Sequence, residues 1–102
     1  MNDLLTLVHR ELASDGYTIE TETRRDVFCR LDSVSRSEFY QAQATDLRPE
    51  LVFVLADYME YDGEYLCIYD SVWYRVIRTY RNGQELEIVV QKASREEVGS
   101  NG

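Results

Sequence analysis

The chain has 102 residues, 44% of them apolar and 29% charged, enough for one compact domain and too few for two. Eleven basic against nineteen acidic side chains leave a net charge of −8. That balance argues against tight binding to nucleic-acid phosphates or to an anionic membrane, and no stretch approaches the roughly 20 apolar residues of a membrane span.

Eight Tyr, three Phe and one Trp, against a single Pro and a single His, favour pleated, half-buried surfaces. Composition therefore points to a β-rich fold. Residues 4–12 fit two patterns. Leu4, Val8 and Leu12 form a helical stripe, while Leu5, Leu7 and His9 fit strand alternation. From Tyr17 to Thr23 bulky and acidic residues alternate, extending or preceding a strand in which Val27, Cys29 and Leu31 alternate with Phe28, Arg30 and Asp32. That strand is expected to end near Val34.

Ser35 and Glu38 then form an S-x-x-E capping box, in which each side chain satisfies a backbone N–H at a helix start. The spacing predicts a short helix over residues 35–45. Phe39, Tyr40, Ala42 and Ala44 gather on one broad face, and Glu38, Gln41 and Thr45 on the other. Arg48-Pro49 stops it, because the residue before proline avoids the α region. A helix this short must rest on a sheet.

Leu51 to Ala56 is a continuous apolar run that suits a strand buried on both faces. Asp62-Gly63 marks a turn, and Tyr65 to Tyr69 is a short strand. Asp70-Ser71 joins it to Val72 as a weak turn pair, since Ser disfavours positive φ. Val72–Tyr80 and Leu86–Lys92 read as a hairpin around a type I′ turn centred on Asn82-Gly83. In its first strand Val72, Tyr74, Val76, Arg78 and Tyr80 share one face, and Trp73, Arg75, Ile77 and Thr79 the other. Neither face is purely polar, so both are expected to be covered. Ala93 to Gly102 reads as a frayed tail.

No chemistry-bearing constellation emerges. Asp57, Glu60, Asp62 and Glu64 cluster at a turn, but a calcium loop counted from Gly63 would begin at Tyr58 and end at Tyr69, so the spacing fails. His9 has no recognisable nucleophile elbow beside it, no glycine-rich loop exists, and no Cys/His spacing suits a metal. Tyrosines can stack on bases, but single-strand binders also need a basic groove, which the charge opposes. The tyrosines read instead as core or interface residues. Met1-Asn2-Asp3 lacks the basic start of a signal peptide, so Cys29 and Cys67 are expected as reduced, buried thiols.

The order of elements has a further meaning. A strand ending at Val34 leads into Ser35-Arg36-Ser37-Glu38-Phe39-Tyr40-Gln41-Ala42-Gln43. Leu51–Ala56 follows, then Tyr61-Asp62-Gly63, then Tyr69-Asp70-Ser71-Val72-Trp73-Tyr74-Arg75-Val76. Over residues 25–92 this resembles the head-closure (stopper) proteins of long-tailed bacteriophages and prophages, the head–tail joining family. The resemblance implies a mainly β fold, a small barrel of about six mostly antiparallel strands over residues 1–92, with one short helix. It implies a virion protein, assembled in the host cytoplasm, that forms a ring under the portal and adaptor, closes the DNA channel and offers a docking surface to the tail. It implies no catalytic residue, cofactor, metal or membrane contact, and partners that are portal/adaptor rings, tail proteins and other copies of itself. Packaged DNA would pass through without sequence-specific binding. By position the channel-facing or ring-interface candidates are Glu38, Gln41, Thr45, Asp46 and Arg48. A tail-completion protein of the same connector and a monomeric β-barrel interaction module are the alternatives.

Overall fold

The computed structural model describes residues 2–43 and 45–99. Six strands form: β1 (Asp3–Leu12), β2 (Ile19–Asp32), β3 (Leu51–Leu55), β4 (Leu66–Tyr69), β5 (Val72–Asn82) and β6 (Glu85–Lys92). They close into a barrel in the order β1-β2-β3-β6-β5-β4, and each pairing is antiparallel. A helix α1 (Arg36–Gln43) sits in the connection from β2 to β3. A 3-10 turn at Tyr58–Glu60 precedes β4, and a four-residue helix α2 (Arg95–Val98) follows β6. The six-stranded barrel with one short helix between strands is the architecture expected from the sequence, with α2 added.

Closure follows from alternation. Leu5 and Leu7 of β1, Val27 and Cys29 of β2, Phe53 and Leu55 of β3, Cys67 of β4, Tyr74 of β5, and Leu86, Ile88 and Val90 of β6 fill the interior. Phe53 anchors it, edge-on to Tyr74 at 5.9 Å between ring centroids and tilted to Tyr69 at 5.3 Å. Burying a side chain of this size is worth roughly 1.5–3 kcal/mol. Cys29 and Cys67 lie in this core as free thiols. β3 is buried on both faces as its apolar run predicts, because Val52 and Val54 pack outside the barrel with Val89, Val34 and Ile77.

The first segment is a strand; the helical stripe loses because Leu5 and Leu7 must both face the core. Ile19 to Thr23 belongs to the same strand as Val27, whereas Tyr17 and Thr18 lie in the turn before it. β1 and β2 pair from Asp3↔Cys29 to Leu12↔Ile19, while β4 covers only Thr6–Val8 of β1 and β3 only Cys29–Asp32 of β2. The rest of the hairpin therefore extends past the barrel as an arm. Its tip is tied by Asp15, which accepts from the N–H groups of Tyr17 and Thr18 and from the Thr18 hydroxyl. The Thr18 bonds, backbone first, hold the Asp15 carboxyl at about 2.

Two details of the second hairpin differ from the sequence expectation. Asn82 pairs with Glu85, so the turn is Gly83-Gln84, one residue later than expected. Gly83 alone of these two has positive φ, at 63°, which fits a turn with glycine at the first central position rather than type I′. The larger difference is a bulge between Val76 and Arg78. One extra residue reverses the alternation. Arg78 now lies opposite Val89 and Tyr80 opposite Glu87, on the outer face, while Thr79 and Arg81 take the inner parity. Arg78 and Tyr80 do not share the Val76 face as expected. The Asp70-Ser71 turn does form, with φ of 51° and 65°.

Residues 93–99 are not a plain tail. Ser94 and Glu97 make a complete capping box, with Glu97 N–H donating to Ser94 Oγ at 3.1 Å and Ser94 N–H to Glu97 Oε1 at 3.0 Å. The S-x-x-E spacing was present, but no apolar run follows it. Residues 100–102 of the expected tail lie outside the described residues.

Candidate functional site

The helix and the loop behind it carry all five sequence candidates. Ser35 starts the helix: its Oγ accepts from Glu38 N–H at 3.1 Å. The reciprocal half of the capping box is absent, because the Glu38 side chain turns inward. Glu38 is buried, with Tyr80 donating its hydroxyl to Oε2 at 2.8 Å and Arg78 Nε 2.7 Å from Oε1. The Arg78 contact is an ion pair that is not aligned as a hydrogen bond. The Tyr80 hydroxyl is pushed up from its ordinary value, chiefly because its proton is held by Glu38.

This corrects two expectations. Glu38 does not face outward; it clasps the helix to β5. The broad aromatic face does not rest on the sheet either: Glu38 and Ala42, one turn apart, are the buried pair, while Phe39 and Tyr40 are exposed and meet edge-to-face at 6.3 Å. The cause lies in β5, where the bulge brings Arg78 and Tyr80 to the outer face beneath the helix. Ala44, assigned to the apolar face, lies outside the described residues.

The helix ends before Pro49. Leu47 N–H bonds to the Ala42 carbonyl across six residues, Thr45 bonds the same carbonyl through N–H and Oγ1, and Asp46 takes φ of 60°. The Leu47 bond and the left-handed Asp46, at a position where glycine is commoner, give the outer bond of a Schellman-type stop. Gln41, Thr45, Asp46 and Arg48 are exposed. Gln41 and Glu38 share a cleft of about 580 Å³ with Asp32, Ser35, Tyr80 and Glu87. Asp46 and Arg48 border a separate depression with Glu50, Gln91 and Lys92, and Arg48 N–H donates to Gln91 Oε1 at 2.9 Å. Four of the five candidates thus divide between two depressions, and Thr45 lines neither.

A second cluster was not read from the sequence. Arg10 and Arg24 each lie 5.2 Å from the centroid of the Trp73 ring, and Glu22 binds both guanidinium groups at 2.8 and 2.9 Å. Arg10 also donates to the Glu97 carbonyl at 3.1 Å, and Arg75 pairs with Glu97 at 3.4 Å. Beneath them Val8 and Leu66, paired by register on the outer face, are fully buried. The outer face of β1, β4 and β5 is thus covered by arginine stems, Trp73 and the C-terminal turn. Burial opposes the charge on Glu22, but the Arg10 and Arg24 bonds outweigh it and hold its pKa below the usual value.

His9 lines a depression of about 300 Å³ with Thr23, Arg25, Asp62 and Glu64. Glu64 is buried and fully engaged: Oε2 takes Arg25 Nη2 at 2.6 Å and Oε1 takes Asp62 N–H at 2.7 Å. Tyr61 donates its hydroxyl to the Glu64 carbonyl, and burial pushes that hydroxyl up to about 12. Among the described residues no group of three or more His, Cys, Asp or Glu is placed to hold a metal, and no helix is long and apolar enough to cross a membrane. Tyrosines divide between core and surface: Tyr58, Tyr61, Tyr69 and Tyr74 pack inside, and Tyr17, Tyr40, Tyr65 and Tyr80 are exposed. No protein-family model matches the chain, and no curated protein matches it.

Proposed function

We propose that this chain is a head-closure protein: a structural ring subunit that sits under a portal–adaptor assembly, closes the DNA channel and presents a surface to the tail. One observation carries the reading. A short helix and its exposed exit loop are inserted between the second and third strands of a closed six-stranded antiparallel barrel, at the position the sequence resemblance assigns to the channel-facing segment. Gln41, Thr45, Asp46 and Arg48 are among the exposed polar groups of that segment. The net charge of −8 disfavours retention of a polyanion by the ring as a whole, while the channel candidates Gln41, Thr45, Asp46 and Arg48 sum to zero charge. At this charge free copies repel, and a template that gathers them raises their effective concentration.

The test mixes the purified chain with portal–adaptor complexes and images the products by electron microscopy. A discrete added ring is expected, with the chain alone sedimenting as a monomer at micromolar concentration. Binding to isolated tail tubes instead would favour a tail-completion protein. One observation favours a different class: among the described residues, no strand pairs with Ile19–Phe28 of β2 on the side away from β1. Such an edge accepts an added strand, as peptide-binding modules do. A chain that ignores both connector components and binds an extended peptide would establish that reading.

A further inference from the structure

The structure holds two surfaces on one chain that complement each other. The first is the tip of the β1–β2 arm. Tyr17 stands there 90% exposed, held at its base by the Asp15 bonds to Tyr17 and Thr18 N–H. The arm itself is braced, since Arg10 donates to the Glu97 carbonyl and Ile19 lies against Gly99. From residue 11 to residue 22 the arm carries Glu11, Asp15, Glu20 and Glu22 and no basic residue. A rigidly mounted tyrosine offers a large contact area at low entropic cost, which is why such residues anchor interfaces.

The second surface is a cleft of about 380 Å³ between the start of β5 and the C-terminal turn. Val72, Trp73, Ala93 and Val98 give it an apolar lining, and the exposed Lys92 and Arg95 stand at its border. The C-terminal turn links arm and cleft, with Val98 lining the cleft while Glu97 and Gly99 meet Arg10 and Ile19 of the arm. Tyr17 does not fill its own cleft, as its exposure shows. The tip is acidic and bears one aromatic anchor, and the charged residues that line the apolar cleft, Lys92 and Arg95, are both cations.

We propose that the arm tip of one copy docks, through Tyr17, in the Trp73 cleft of a second copy. The contact is heterologous: tip meets cleft, leaving a free cleft and a free tip for the next copies. Contacts of this kind close into rings when the rotation between neighbours closes. The proposal names the lateral contact of the ring described above and takes its setting from that reading. The contact itself involves copies of this chain alone, so it is tested without any portal component.

Tyr17 is replaced by the photo-crosslinker benzoylphenylalanine and the chain is irradiated at high concentration. Cross-links to residues 71–73 or 92–98 are expected, in a ladder extending past the dimer. Lys92→Glu with Arg95→Glu should cut the yield about tenfold, and adding Glu11→Lys with Glu20→Lys should restore it. The native chain supplies a second readout, because Trp73 is its one tryptophan. Its emission should change with protein concentration and cease to do so in Tyr17→Ala. A product that stops at the dimer, cross-links mapping elsewhere, or an emission independent of concentration would each overturn the proposal. A ladder with no response to portal–adaptor complexes would instead uphold the contact and remove the head-closure reading.

Discussion

Tyr80 reaches Glu38 across 2.8 Å although the two stand 42 positions apart and straight alternation would have aimed Tyr80 into the barrel. Glu38→Ala removes the shared acceptor of Tyr80 and the partner of Arg78 together. Bonds to a charged group are worth about 1.5–3 kcal/mol, so a loss of about 2–3 kcal/mol is expected. Tyr80→Phe removes one bond and should cost about 1 kcal/mol. Urea midpoints of the two variants test the ranking; equal, near-zero shifts would show that the clasp carries no stability.

Ser35→Ala should destabilise by about 1 kcal/mol, because Glu38 N–H loses its only side-chain acceptor among the described residues. Ser35→Asp should keep most of the stability, since a carboxylate accepts the same bond and suits the helix start. If both variants melt alike, the helix does not begin there.

Acid sensitivity should centre on Glu64. Burial raises its pKa, but the bonds from Arg25 and from Asp62 N–H outweigh that and leave it lowered. A lowered folded value means the stabilisation is complete above the unfolded carboxylate range near 4.5 and is lost as pH falls through the folded value. Glu22, held by Arg10 and Arg24, acts in the same direction. Stability is therefore expected to be level from neutrality to about pH 5 and to fall below it. Glu64→Gln should start lower and show a shallower acid slope. An unchanged slope, measured as urea midpoint against pH, would remove Glu64 from the acid transition.

Alkaline behaviour should divide the eight tyrosines. Burial pushes Tyr61 up to about 12 and raises Tyr74, while bonds to Asp3 and Glu38 raise Tyr69 and Tyr80. A raised folded value means stability is intact below the unfolded tyrosine range near 10 and is lost as pH climbs through the folded values. Absorbance at the phenolate band should rise in two stages, the later one coinciding with unfolding. A single stage near pH 10 would contradict the buried hydroxyls.

The cysteines should be silent. Burial pushes Cys29 up to about 11 and Cys67 to about 12, so neither forms the reactive thiolate at neutral pH. A thiol reagent should label neither in the native protein and both in denaturant. Native labelling within minutes would mean that the barrel opens at β2 or β4.

Local signals were legible where one residue type fixes one geometry. Ser35 caps the helix, Gly83 supplies the positive φ of the second hairpin, and the unbroken run Leu51–Leu55 is buried on both sides. What escaped was long-range. No property of Ile77 itself marks it as the extra residue of a bulge, yet that residue decides where Arg78 and Tyr80 point. Glu38 looked like a surface acid because its partners lie 40 and more residues away. The Trp73 cluster was invisible for the same reason, since β1, β2 and β5 come together only when the barrel closes. Ser94 and Glu97 carried a readable capping signal, but a four-residue helix leaves no periodic pattern to confirm it.

The bulge makes β5 sensitive to insertion and deletion in a way its composition hides. Removing one residue near Ile77 would leave the amino acids almost unchanged and yet exchange the roles of everything after it. Arg78 and Tyr80 would point into the barrel and the helix would lose its anchor. Among divergent copies of this sequence, the length of β5 up to the Gly83 turn should therefore drift together with residue 38. Where the extra residue is missing, a carboxylate at that helix position would have nothing left to hold.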